Sequence, residues 1–447
     1  MYDWIGLVLV TVAVAAAGSS FSRRMRPAAA RVFFAALALR VFGGLARYQV
    51  LESFYSGVGD ATGYFGRGWG IAKRLWTFSV PWTNPDFWYE RGKWWGTAMV
   101  DKVSALVLAF IGPTMRGEFV AFSILAFCGI YAATTAFRRV QPAQTMTYAW
   151  IAWLWPSLWF WPSSVGKEAI IVLAMGLVTL GFVGREGRPQ WSILGSGIAL
   201  AFIIRPHVAA VLALAVLAGY WLGTWDRASP RRLLEAALAA VVAGAALFGM
   251  QAQFGLLDAD LEGVKEFVDQ AQEQTMRGGS SIEGVPAGIA GIPFAFINLW
   301  MRPFPWEAHN ATALISSLEI VVFWILVIRY RRHVLWAVRR WWTHPLLRFA
   351  VPLWGAYTLM IGLTFGNLGL IARQRAPLFM FLFMILLAAP AAKTAAVPRP
   401  AAGRAAAGGG PPAGERAAAR DGVRRRRPAG PRPVGGGAAA RTSRGAG

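Results

Sequence analysis

Apolar residues gather along this chain in blocks of about 15–20, the length that crosses the hydrocarbon core of a bilayer as a helix. The pattern predicts spans at Trp4–Ser19, Val32–Ala46, Phe119–Phe137, Thr145–Trp161, Ala169–Gly184, Trp191–Ile204, Val208–Thr224, Leu233–Met250, Ala311–Ile328, Phe349–Phe365 and Pro377–Ala392. A further apolar run, Val103–Gly112, is too short to span and reads as an interfacial or re-entrant helix. The expected fold class is therefore an all-α polytopic membrane protein with about eleven transmembrane helices, two long extracytoplasmic loops and a flat interfacial helix. A cleavable signal peptide is not expected, because Met1-Tyr2-Asp3 lacks a basic segment ahead of the first apolar block.

Composition agrees. Of 447 residues, 56% are hydrophobic and only 15% charged, against about 25% charged in an average soluble domain. The lone cysteine, Cys128, lies in an apolar block, which excludes a disulfide framework and a cysteine metal site. The net charge of +23 first suggests a nucleic-acid binder, but placement argues otherwise. One alternate set of loops (Arg23–Arg31, Arg138–Arg139, Arg185–Arg188, Arg227–Arg232 and Arg329–Arg340) carries sixteen basic residues against Glu186 and Asp226. The other set is roughly balanced. By the positive-inside rule the first set is cytoplasmic, which puts the N-terminus and both long loops outside. A further +10 lies in residues 393–447, an Ala/Gly/Pro/Arg stretch expected to be a disordered cytoplasmic tail behind a membrane domain at 1–392. Its Arg424–Arg427 cluster would suit anionic headgroups, or simply be solvated.

What remains is a small set of cations on the outer side, where topology disfavours them. Outer helix ends present Lys167 beside Glu168, Arg205 beside His207, Arg302 in Arg302-Pro303-Phe304, and Arg373 and Arg375 after Asn367. A membrane-embedded phosphate would account for them, since arginine grips phosphate oxygens bidentately and lysine binds as a point charge. The alternative is that they pair with Glu168, Glu307 or Glu319, or snorkel to headgroups. The first outer loop holds Gly57-Val58-Gly59-Asp60-Ala61-Thr62-Gly63-Tyr64 and then an aromatic run with Trp69, Trp76, Trp82, Trp88, Tyr89, Trp94 and Trp95. The aspartate reads as a candidate general base or a turn residue. The aromatics read as an interfacial belt or as sugar-stacking surfaces. Arg40 and Glu319 fall inside spans and would each cost about 2.5–3.5 kcal/mol unless partnered; they are expected to line the interior and to meet one another. No P-loop, GxGxxG or HExxH occurs, so no cofactor is expected. A divalent ion would have to draw on Asp60 with Asp86, Glu90 or Asp101, and no spacing marks such a site.

Gly59-Asp60 with Tyr64, Gly166-Lys167-Glu168, Arg205-Pro206-His207 and Asn367 followed by Arg373-Gln374-Arg375 resemble, in their placement, the GT-C superfamily of membrane glycosyltransferases, which includes the dolichyl-phosphate-mannose protein mannosyltransferases. The resemblance is architectural, spans roughly Val32–Ala392, and differs from the family in having one loop carboxylate instead of a pair. It implies transfer of a sugar from a polyprenyl-phosphate donor to a glycan, lipid or protein acceptor on the extracytoplasmic face. It implies Asp60 as the catalytic base. Tyr64, Lys167, Glu168, Arg205, His207, Arg302, Asn367, Arg373 and Arg375 would be the substrate-binding candidates, with the basic members on the lipid phosphate. The rival readings are an O-antigen-type polymerase or ligase and, for want of internal symmetry less favoured, a flippase or secondary transporter. Membrane lipids are expected partners and nucleic acid is not.

Overall fold

The computed structural model describes residues 2–77, 95–226, 229–254, 291–308 and 311–389, with single positions between 262 and 275. The chain divides into two units, Met1–Ala392 and Lys393–Gly447, and the second lies outside the described residues, as do Trp82, Asp86, Trp88, Tyr89, Glu90, Trp94 and His309.

Among the described residues the protein is helical, without a named strand. In chain order the helices are α1 (Tyr2–Ser22), α2 (Pro27–Tyr55), α3 (Asp60–Trp76), α4 (Thr97–Ile111), α5 (Met115–Val140), α6 (Thr145–Leu154), α7 (Pro156–Phe160), α8 (Lys167–Val183) and α9 (Trp191–Ile204). They continue as α10 (Pro206–Asp226), α11 (Pro230–Phe254), α12 (Gly291–Trp300), α13 (Ala311–Arg329), α14 (Arg331–Arg340), α15 (Leu347–Thr364), α16 (Leu368–Arg375) and α17 (Leu378–Leu387). Among the described residues six helices are long and apolar enough to cross a membrane, or up to eight if the bent pairs α13–α14 (75°) and α16–α17 (57°) each count as one span. Exposed apolar residues such as Leu9 and Val12 on α1, Val241 and Phe248 on α11, and Ile315 and Ile325 on α13 are what a hydrocarbon solvent permits and water does not. This is an all-α membrane protein.

The helices pack as the small residues direct. A Cβ on Gly176 of α8 would sit 2.0 Å from the Gly129 carbonyl oxygen of α5, so the two backbones touch, as small-residue crossings in membranes allow. α8 also packs on α9, α10 on α11 and α15, α2 on α5, and α3 on α4. α8 stops at Gly184, whose φ of +62° places it in the left-handed region, with the Arg188 carbonyl oxygen 1.7 Å from where a Cβ would stand. Only glycine fits both conditions.

The apolar block Thr145–Trp161 is broken at Trp155–Pro156 into α6 and α7. In a continuous helix the Ser157 N–H would donate to the Trp153 carbonyl. Here it donates to Glu319 Oε1 at 2.6 Å, the Ser157 hydroxyl donates to Glu319 Oε2, and Arg40 Nη2 donates to the Trp153 oxygen at 3.2 Å. Arg40 Nη1 donates to the Leu158 oxygen at 2.6 Å, whose helical donor would be Pro162, which has no N–H. Arg40 and Glu319 thus do not meet one another as expected. They satisfy opposite polarities of one broken helix, which hydrocarbon cannot do.

Candidate functional site

The segment after α2 turns where its glycines and its serine allow. Ser56 and Gly57 adopt φ of 50° and 72°, Thr62 Oγ1 donates to the Gly57 oxygen at 2.6 Å, and α3 then starts at Asp60. A carboxylate in the first turn is favoured there by the helix dipole. Asp60 is exposed and among the described residues makes neither an ion pair nor a hydrogen bond. One turn on, the buried Tyr64 points inward. A Cβ on Gly166 would lie 3.9 Å from its ring and 3.3 Å from Glu168 Oε2, which places Tyr64, Gly166 and Glu168 together. α4 braces this turn: Ser104 Oγ donates to the Tyr64 oxygen at 3.2 Å, and Arg67 Nε pairs with Asp101 Oδ2 at 2.7 Å.

Glu168 is the hub. It opens α8 just ahead of the apolar segment and its side chain is 2% exposed. Arg205, at the α9–α10 junction, pairs with Oε1 at 2.7 Å, and Arg373 of α16 pairs with Oε2 at 2.7 Å. Gln374 closes the ring, accepting from Arg205 Nη1 at 2.7 Å. Burial alone would push the Glu168 carboxyl up, but the charges and hydrogen bonds of Arg373 and Arg205 outweigh it and hold the group well below the ordinary carboxylate range. Beside this ring stands Lys167, whose ammonium makes no ion pair or hydrogen bond among the described residues. Burial first, then the Arg205 charge, lowers its pKa. Asp60 lies within electrostatic reach of both Lys167 and Arg373, and His207 of both Arg205 and Lys167. Tyr357 faces Arg205. A fourth cation, Arg47 of α2, sits against Phe160 and Trp161, 5.0 and 5.2 Å from their ring centres, and feels Arg373 and Glu168.

The cluster around Glu168 therefore joins Asp60, Tyr64, Lys167, Glu168, Arg205, His207 and Arg373 from the expected set. The expected alternative, pairing with acidic residues, holds for Arg205 and Arg373 with Glu168 and for Arg302 with Glu307 at 2.6 Å. Three expected residues serve elsewhere. Asn367 caps α16, accepting from the N–H groups of Gly369 and Leu370. Arg302 also reaches Asn298 Oδ1 at 3.3 Å. Arg375 is fully buried, donating to the Leu299 and Arg302 oxygens at 2.9 and 2.6 Å and to Ser316 Oγ at 2.8 Å. Arg47, Gln374 and Tyr357 were not anticipated. The one sequence signal for Arg47 was a cation at the very end of an apolar block, one residue past Ala46.

Four cations thus surround two carboxylates, and one of those carboxylates is saturated. The chain matches no family model, no curated protein and no solved structure. Among the described residues no three His, Cys, Asp or Glu side chains converge on a common point; Asp101 is engaged by Arg67, and Asp86 and Glu90 lie outside the described residues.

Proposed function

We propose that the Asp60–Glu168 cluster binds the phosphate of a polyprenyl-phosphate-linked sugar and catalyses transfer of that sugar to an acceptor hydroxyl. The observation that carries this reading is the excess of cations over carboxylates among the described residues, where Lys167 and Asp60 make no ion pair. The reading includes the extracytoplasmic placement of the cluster and about eleven membrane crossings, the short helices among them. Asp60 takes the proton of the acceptor hydroxyl, the freed oxygen attacks the anomeric carbon, and the carbon–oxygen bond to phosphate breaks. The electron pair leaves with the polyprenyl phosphate. Lys167, with Arg205 and Arg373 held in place by Glu168, meets the charge that grows on that leaving group, the kind of preorganised stabilisation that lowers a barrier most. A positioned base adds about 10²–10⁴-fold. Arg375 stands apart from this chemistry and ties α16 to the Leu299 and Arg302 oxygens and to Ser316.

The polymerase or ligase alternative draws on Arg205, Arg302, Arg373 and Arg375 together. Arg302 and Arg375 are engaged by Glu307 and by backbone oxygens away from the Glu168 cluster, and Asp60 fits that reading less well. The test is incubation of the purified protein with polyprenyl-phosphate sugars, with and without acceptor, followed by analysis of released polyprenyl phosphate. Acceptor-dependent release is expected. No release with any hexose or pentose donor over a broad acceptor set would overturn the proposal.

A further inference from the structure

At the end of the bundle opposite the Asp60 cluster, the helix ends enclose a second polar site. α8 runs between the two, and its 17 residues separate them by about 25 Å at 1.5 Å per residue. The cavity there has a volume of about 410 Å³ and is lined by Arg139 at the end of α5, Arg232 at the start of α11 and Arg348 at the start of α15. Tyr220 and Gly223 of α10 and Phe182 of α8 supply much of the rest.

Three features make this more than a cytoplasmic excess of charge. Arg139 is fixed through Nη1 alone, to the Gly184 oxygen at 2.6 Å and Gln190 Oε1 at 3.1 Å, and Arg232 through Nη1 to the Gly223 oxygen at 2.6 Å. Both guanidiniums are held in position, and among the described residues their Nε and Nη2 have no partner. The Arg348 guanidinium lies across bare backbone at Gly223, where a Cβ would stand 2.5 Å from its Nη1; any side chain there would displace it. The acidic lining residues do not cancel this charge. Glu235 is engaged from outside by Arg231 at 2.9 Å, and Glu186 is exposed on the turn after α8. The remaining wall is apolar and aromatic, with Trp191 packed 5.4 Å from the Tyr220 ring.

Convergent guanidiniums beside an apolar wall, with the Nε and Nη2 donors of Arg139 and Arg232 turned to no partner among the described residues, suit a phosphate carried on a partly apolar stem. We propose that this cavity is a second phosphate site, independent of the outer cluster, which holds the headgroup of an anionic glycerophospholipid. A soluble phosphate ester is the other source of the same chemistry, and the test separates the two.

The experiment titrates full-length protein in neutral detergent with phosphatidylglycerol or phosphatidylcholine, counting bound lipid by native mass spectrometry, with glycerol phosphate as competitor. Selective binding of about one phosphatidylglycerol is expected, weakened about tenfold in R232Q and in R348Q and unchanged in R340Q, an exposed arginine of α14 away from the cavity. Melting curves without lipid check folding; if R348Q does not fold, R232Q, whose partner is a single carbonyl, carries the test. Displacement by glycerol phosphate, with no preference for phosphatidylglycerol, would retain the phosphate site but overturn its assignment to a lipid. Binding equal in R232Q and wild type, or lost equally in R340Q, would overturn the site itself.

Discussion

Replacing Glu168 by glutamine removes one charge from a carboxylate that is 2% exposed and holds two arginines at 2.7 Å. At an effective dielectric of about 20, a pair of unit charges about 4 Å apart is worth roughly 4 kcal/mol. Two such pairs are offset by several kcal/mol of desolvation. Arg205 and Arg373 remain 14% and 27% exposed, so water screens part of what is left. Glutamine keeps one oxygen acceptor but loses the other and all the charge. Breaking a buried pair costs about 3–5 kcal/mol because the partner is stranded; with the partial screening, the lower end, about 3 kcal/mol, is expected. Unfolding by SDS titration in mixed micelles, comparing wild type, Glu168→Gln, Arg373→Gln and the double variant, reads this directly. The double variant should lose much less than the sum of the singles, since each removes the same interaction. The pH dependence has a definite sign: a depressed carboxyl contributes stability above its ordinary pKa and loses it as pH falls through the lowered folded value. A single-variant loss under about 1 kcal/mol, or additive losses, would refute Glu168 as the hub.

Asp60→Asn should abolish sugar transfer while expression, insertion and melting temperature stay at wild type; transfer at the wild-type rate would remove Asp60 from the chemistry. Arg40→Met and Glu319→Gln should each cost about 1–3 kcal/mol by leaving groups of the α6–α7 break unsatisfied, and the pair should couple through that shared break; strictly additive losses in the same SDS titration would speak against it. Gly184→Ala should cost about 2 kcal/mol or more, from the left-handed backbone and the contact with the Arg188 oxygen, seen as a lowered melting temperature. A neutral Gly184→Ala would mean the turn rearranges freely.

The apolar blocks were legible because hydropathy is a local property: α1, α2, α5, α10, α11 and α15 lie where the blocks predicted them. The breaks were less so. Averaged hydropathy runs straight through Pro156, and the groups that repair the backbone there, Arg40 and Glu319, lie 113 and 162 residues away from the atoms they bond. The Asp60–Glu168 cluster was partly legible for a topological reason: Lys167, Arg205 and Arg373 each stand within a few residues of the end of an apolar block, and Asp60 follows the glycine turn after the second. What sequence could not supply was the pairing. Nothing local marks Glu168 as the partner of Arg373, 205 residues on, or sets Arg47 against Phe160 and Trp161.

Arg373 and Arg375 show where spacing alone should have decided. Two residues apart on one helix they project about 200° apart, and neighbours at that interval do not share a face. One phosphate clamp could not use both. α16 turns Arg373 to Glu168, and Arg375 to the Leu299 and Arg302 oxygens and Ser316. Their alanine variants should therefore fail in different ways. Arg373→Ala loses a partly exposed cation and leaves Glu168 with Arg205, so donor affinity should fall about tenfold with a stability loss of about 1–2 kcal/mol. Arg375→Ala strands the buried Leu299 oxygen and Ser316 hydroxyl and the part-buried Arg302 oxygen, buried acceptors being worth about 1–3 kcal/mol each when unsatisfied, and should lower the folded fraction while the molecules that remain folded bind donor as wild type does. Binding isotherms normalised to folded protein separate the two outcomes. Equal loss of affinity per folded molecule in both variants would mean that Arg375 reaches the donor after all, and that α16 rotates to present it.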